Sequence, residues 1–74
     1  MHTVDARGLK CPLPLVKTKL AMEQLDRGEA LRVLATDPEA PIDLAAWAAD
    51  EGHGYRELAA GEYELVKQPA GTPP

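Results

Sequence analysis

The patterning of the chain predicts an α/β (α+β) two-layer sandwich in the order βαβαββ, with a mixed four-stranded sheet and two helices on one face. Three observations carry that reading. A length of 74 residues, with 45% hydrophobic and 27% charged side chains, suits one folded domain with a small core rather than a disordered chain. The strand-like segments alternate apolar and polar residues, whereas a sheet covered on both faces would show continuous apolar runs. Two helix-like segments separate the first three strands, and right-handed crossovers place both helices on the same side.

The first strand begins in "TVDAR", where Val4 and Ala6 alternate with Asp5 and Arg7, and Gly8 then permits a turn. From Pro12 to about Arg27 no glycine interrupts, and Gly28 is placed to stop a helix whose core face is Leu15, Thr18, Ala21, Met22 and Leu25. "ALRVLAT", residues 30–36, sets Leu31, Val33 and Ala35 on one side of a second strand. After the turn "DPEAP", Pro41 reads as a first-turn proline and Asp43 suits the positive end of a helix that runs to Gly52. Ala45, Ala46, Ala48 and Ala49 give that helix a thin profile. "GYRELAAGEYELVKQ" reads as two strands joined at "AAG", with Tyr63 and Leu65 alternating against Glu64 and Val66. Residues 1–68 thus form a single domain, and "PAGTPP", residues 69–74, is expected to be a flexible tail.

Composition narrows the function classes. A formal net charge of −4 without a basic run argues against nucleic acid as a direct ligand, because phosphate binding needs clustered cations. No stretch is long and apolar enough to span a bilayer, and "MHTVDARG" lacks the apolar segment of a signal peptide, so a cytoplasmic protein with no membrane partner is expected. A single cysteine cannot form an internal disulfide and suits a reducing compartment. A monomer is expected for the free protein.

The chemistry centres on "RGLKCPLPLV", residues 7–16, where that cysteine lies between a glycine turn and two prolines. With Cys11 as N-cap, Pro12 and Pro14 fall in the first turn, where backbone N–H groups have no intrahelical partner, so the prolines remove no helical hydrogen bond. They stiffen the segment and, with Gly8, fix the mount of the thiol. The sulfur then lies at the positive end of the helix dipole, near Arg7, Lys10 and Lys17, and its pKa is expected to fall. Those three cations are electrostatic support or partner-steering groups; the bland reading is ordinary solvated charge. For Asp5 the leading reading is structural, as a partner of Arg7 or of the turn.

What the chain lacks limits the chemistry further. His2 and His53 make a poor catalytic triad with Cys11, and His53 more simply packs after Gly52. There is no second cysteine for dithiol redox work and no ligand set for a metal. Exchange of sulfur with a partner's sulfur remains. A lone cysteine on composition alone is a packed hydrophobe, but the proline bracket favours exposure.

The motif Asp5, Arg7-Gly8-Leu9, Cys11-Pro12, Pro14 resembles that of the TusA/SirA family of sulfur-carrier proteins, with further likeness at "GEALRVLATDP" (28–38), "DLAAWA" (43–48) and "GHGY" (52–55). The resemblance implies a two-layer α/β sandwich and a sulfurtransferase or carrier function, with Cys11 as the nucleophile that holds sulfane sulfur as a persulfide and needs no other cofactor. It implies a sulfur donor, a cysteine desulfurase or rhodanese-like protein, and a thiol acceptor protein. The destinations include tRNA thiolation, sulfur oxidation, thiosulfate uptake and selenium metabolism.

Leu13, Val16 and Leu20 form a stripe apart from the core face. It either packs against the second helix or serves as an apolar docking patch beside the thiol. The alternative to a carrier is a non-catalytic regulatory or interaction module, in which Cys-Pro-x-Pro is only a structural helix start; a redox sensor is a third reading, marked by sulfenic acid rather than persulfide.

Overall fold

Val4 and Ala6, the apolar half of the first alternating segment, are buried, and their strand pairs in parallel with the one that carries Leu31, Val33 and Ala35. This computed structural model describes residues 2–68, so the expected tail at 69–74 lies outside the described residues. The elements are β1 (His2–Ala6), α1 (Leu13–Glu23), β2 (Ala30–Ala35), α2 (Ala40–Glu51), β3 (Gly54–Ala59) and β4 (Glu62–Val66), in the predicted order. Among these residues the sheet has the order β1-β2-β4-β3, with β1 and β2 parallel and the other pairs antiparallel.

Register explains the core. Val4 lies beside Val33, which lies beside Tyr63, and Leu31 lies beside Leu65, so one face of the sheet is a continuous apolar row. Met22 and Leu25 from the first helical segment and Leu44 and Ala48 from α2 close over it. Leu31, Leu44 and Leu65 are fully buried, each contributing about 1.5–3 kcal/mol of hydrophobic stabilisation. Tyr55 and Tyr63 stack across β3 and β4 with ring centroids 6.2 Å apart.

The two helices stop in different ways. Gly52 adopts φ 76 at the end of α2, and the next N–H, of His53, donates to the Ala48 carbonyl at 2.8 Å, as the sequence predicts for a terminating glycine. Helix α1, however, ends at Glu23 rather than near Arg27. There the N–H groups of Gln24 and Leu25 donate three residues back, to Ala21 and Met22, tightening the last turn. That leaves Leu25 in the core, while Gly28, at φ 87, serves the turn into β2 instead.

The parallel pairing of β1 and β2 positions the site. Ala6 and Ala35 are partners at the carboxyl ends of their strands, so the two loops that follow run side by side and both helices start at the same end of the sheet. Gly8 N–H donates to Thr36 Oγ1 at 2.9 Å, tying one loop to the other. No helix of the described residues is long and apolar enough to cross a membrane.

Candidate active site

Cys11 lies in the first of those loops and is exposed. The helix that follows starts one residue later than Cys11 as N-cap requires: Pro12 is the N-cap and Pro14 the second helical residue. The Cys11–Pro12 peptide is cis, at the centre of a turn that Leu13 N–H closes onto the Lys10 carbonyl at 2.8 Å. The first helical bond runs from Val16 N–H to the Pro12 carbonyl at 3.0 Å. Pro14 is buried, and its carbonyl accepts the hydroxyl of fully buried Thr18 at 2.8 Å, which leaves that hydroxyl satisfied. The prolines therefore do start the helix, but Cys11 stands just outside it.

The sulfur has a different neighbour from the expected helical N–H groups. Cys11 Sγ donates to Asp43 Oδ2 at 2.8 Å, and Cys11 N–H donates to Asp37 Oδ2. Asp37 also accepts the N–H of Glu39 at 2.9 Å, so one carboxylate joins the loop of the thiol to the start of α2; these two backbone donors, ahead of Lys10, hold its pKa below the ordinary carboxylate value. Asp43 stands in the first turn of α2, where a negative charge meets the positive end of the dipole.

The electrostatics correct the sequence expectation of a lowered thiol pKa. The hydrogen bond to Asp43, then desolvation and the charges of Asp43, Glu39 and Asp37, push Cys11 up to about 11. Two of the three cations expected to oppose this are engaged elsewhere. Arg7 forms an ion pair with Asp5 at 2.8 Å, and Lys17 Nζ donates to the Asp5 carbonyl at 3.1 Å. The charge of Lys10 helps to lower the pKa of Asp37. Asp5 is thus the partner of Arg7.

Leu13, Val16 and Leu20 are 49%, 43% and 59% exposed, so the stripe is not consumed by packing against α2. Ile42, next to Asp43, is 68% exposed. An open hollow of about 310 Å³ lies beside the thiol loop between Gly8, Leu9, Lys10 and the Thr36–Pro38 segment. The larger hollow, about 610 Å³, is at the other end of the helices, between Met22, Trp47, His53 and Lys67, and includes no residue of the thiol's surroundings. There His53 packs on Trp47 and accepts the Gln68 N–H at 3.0 Å, with burial lowering its pKa.

Sequence reasoning missed Asp37, Glu39 and Asp43 as neighbours of Cys11. A signal existed: once β1 and β2 are parallel neighbours, the first turn of α2 must lie near that of α1, and Asp43 is in that turn. The pairing itself cannot be read from the alternation, which leaves the charge balance of the site to be inferred from near neighbours in sequence alone.

A mixed sheet with two helices, presenting one exposed cysteine where both helices begin, defines a small α+β domain built around a single thiol. The model of the family described as sulfurtransferase TusA matches residues 2–68, and the chain belongs to the TusA family of sulfur carriers. It is 49% identical over 69 residues to a candidate sulfur carrier protein of Neisseria meningitidis, covering 90% of this chain and 93% of the relative. To the sulfur carrier protein TusA of Allochromatium vinosum it is 39% identical over 54 residues, 73% of this chain and 71% of that one. The candidate sulfur carrier protein YrkF of Bacillus subtilis is 52% identical over 52 residues, and there the chain matches 70% of its own length but spans only 28% of the relative. The fold is similar to the crystal structure of a SirA-like protein from Desulfitobacterium hafniense, with a TM-score of 0.68 and 31% identity over 88% of this chain and 92% of that one.

Proposed function

We propose that the protein carries sulfane sulfur as a persulfide on Cys11 and passes it to the thiol of an acceptor protein. The observation that supports this most directly is the position of Cys11: exposed, outside the helix, on a segment stiffened by Pro12 and Pro14. A carrier needs an accessible sulfur whose mount does not move when a partner's sulfur arrives. Loading is attack of the Cys11 sulfur on the terminal sulfur of a donor persulfide, from a cysteine desulfurase or rhodanese-like protein; unloading is attack of an acceptor thiolate on that same outer sulfur. No metal or organic cofactor takes part, and the chemistry is a sulfurtransferase half-reaction in each direction. Leu13, Val16 and Leu20 are the docking patch, because sulfur passes only when two proteins bring their sulfurs together. The acceptor is named by class alone, a protein thiol in a sulfur-trafficking route such as tRNA thiolation, acting in the cytoplasm.

A second reading has one observation in its favour. The raised pKa of Cys11 is that of a quiet thiol, as a regulatory or interaction module would tolerate. The same finding speaks against a redox sensor, whose cysteine needs thiolate character to form sulfenic acid. Intact-protein mass after incubation with a cysteine desulfurase and cysteine separates the first two. The carrier gains one reducible sulfur atom and Cys11→Ser gains none; a wild type that stays unmodified gives the lead to the interaction module.

A further inference from the structure

The contact between Cys11 and Asp43 joins residues 32 positions apart, from the loop before α1 and the first turn of α2. Asp43 owes its place to the parallel pairing of β1 and β2, which brings the two helix starts together. Its carboxylate is the only side-chain acceptor that the sulfur meets among the described residues. Other charged groups face the thiol without touching it. Asp37 binds the Cys11 backbone N–H, Glu39 lies at the start of α2, and Lys10 directs its charge to Asp37. Arg7 and Lys17 are held by Asp5.

We propose that Asp43 is a catalytic residue of sulfur loading: it holds the Cys11 proton while the carrier is free and accepts that proton as the new S–S bond forms. The inference rests on the carrier reading above. In the balanced step, Cys11–SH and donor–S–SH give Cys11–S–SH and donor–SH. The Cys11 S–H bond and the donor S–S bond break. The Cys11 sulfur supplies the electron pair of the new S–S bond, and the pair of the broken one leaves with the donor sulfur. Asp43 takes the Cys11 proton and returns it to that leaving thiolate, so no outside oxidant or reductant is needed. A thiol attacking without prior ionisation needs such an acceptor within hydrogen-bond reach, and the 2.8 Å contact provides it.

The same contact makes the free thiol slow toward adventitious electrophiles, since at neutral pH little of it is thiolate. Two rates therefore separate the roles. Asp43→Asn removes the negative charge but keeps the shape. Lowering the midpoint of Cys11 ionisation from about 11 toward the ordinary 9.0 raises the thiolate fraction. Part of that gain is cancelled by lower nucleophilicity, which leaves alkylation by iodoacetamide about 3- to 10-fold faster.

The experiment follows alkylation across pH and loading from glutathione persulfide by intact mass, on wild type, Asp43→Asn and Asp43→Glu, with thermal melts as a check on folding. Expected is faster alkylation of Asp43→Asn with a lower pH midpoint, while its loading rate relative to alkylation falls by roughly 10-fold or more. Asp43→Glu, which restores a carboxylate, recovers part of that ratio. Glu39→Gln, which removes a charge that does not touch the sulfur, moves alkylation by about twofold or less. Loading and alkylation rising together in Asp43→Asn would overturn the proton-acceptor role, and an unchanged alkylation profile would overturn the contact itself. Either result leaves the carrier reading standing as long as wild type loads; a wild type that never gains sulfur removes the carrier reading and this inference together.

Discussion

Arg7 binds Asp5 through three donors: its backbone N–H at 3.1 Å, Nε at 2.9 Å and a terminal guanidinium nitrogen at 2.8 Å. This two-residue clasp shapes the exit of β1, and Lys17 adds a bond to the Asp5 carbonyl from α1. Two of the three cations that the sequence suggests around the thiol, Arg7 and Lys17, are thus spent on building the turn that carries it. What surrounds the sulfur instead is carboxylate, with Asp43 in contact and Glu39 and Asp37 near.

The clasp predicts an acid titration. Its hydrogen bonds from Arg7 hold the Asp5 carboxyl at about 2, below its ordinary 3.8. Because the folded pKa is depressed, the contribution to stability is complete above the unfolded value and is lost as pH falls through the folded one, between roughly pH 4 and pH 2. Carbon-detected NMR of the Asp5 carboxyl should give a midpoint near 2 in wild type, and Arg7→Ala should bring it back toward 3.8. A midpoint at the ordinary value in wild type would mean that the clasp is open in solution. The group is more than half exposed, so the shift is the readout rather than a change in global stability.

Much of the fold was legible because one-sided strands and glycine stops are local signals. Val4, Ala6, Leu31, Val33, Ala35, Tyr63 and Leu65 all point into the core as their alternation predicts. The core face of α1 is also as read for Thr18 and Met22, with Leu15 and Ala21 partly buried against it, and Leu25 is buried from just past the helix end. The site was legible only in part. Cys11 and its prolines are contiguous in sequence, and their exposure and helix-starting role follow from backbone rules. The ionisation of the sulfur depends on strand order, which no local rule supplies, and proximity in sequence to Arg7, Lys10 and Lys17 was a poor substitute for proximity in space. The stop of α1 also differs from the sequence reading: the helix gives way at Gln24 and Leu25 to three-back hydrogen bonds before the glycine that the sequence offers as its end.

Two glycines with the same backbone sign should respond differently to alanine. Gly8 has φ 82 and nothing within 4 Å of the position a Cβ would take, so Gly8→Ala meets only the left-handed backbone penalty of about 1–2 kcal/mol. Gly61 has φ 78, and a Cβ there would lie 2.9 Å from the Ala35 carbonyl oxygen, while Ala35 N–H donates to the Gly61 carbonyl at 3.0 Å. Gly61→Ala therefore adds a clash with backbone that cannot move without breaking the β2–β4 edge. In a domain of this size each kcal/mol lowers Tm by about 4–8 °C, so thermal melts should place Gly61→Ala clearly below Gly8→Ala. Equal melting temperatures would show that the hairpin turn relaxes.

The apolar stripe makes the last prediction, because it separates docking from chemistry. Leu13, Val16 and Leu20 lie on the helix that Cys11 precedes, are substantially exposed, and take no part in the hydrogen bonds of the sulfur. Alanine is the best helix former, so the triple change to alanine should leave folding stability within about 1 kcal/mol of wild type. Alkylation of Cys11 by iodoacetamide should also be unchanged, since Asp43 and not the stripe sets its ionisation. Binding to a loading cysteine desulfurase should weaken. Covering each large apolar side chain is worth up to about 1.5–3 kcal/mol, and half that for side chains already partly packed, so a loss of up to roughly 40- to 2,000-fold in Kd is expected for the three together. Titration calorimetry measures it, with loading rate at limiting donor falling in proportion. If Kd holds while loading slows, the stripe orients the sulfur after docking; if both hold, the partner approaches from another side of the thiol, across the exposed Ile42 and the start of α2.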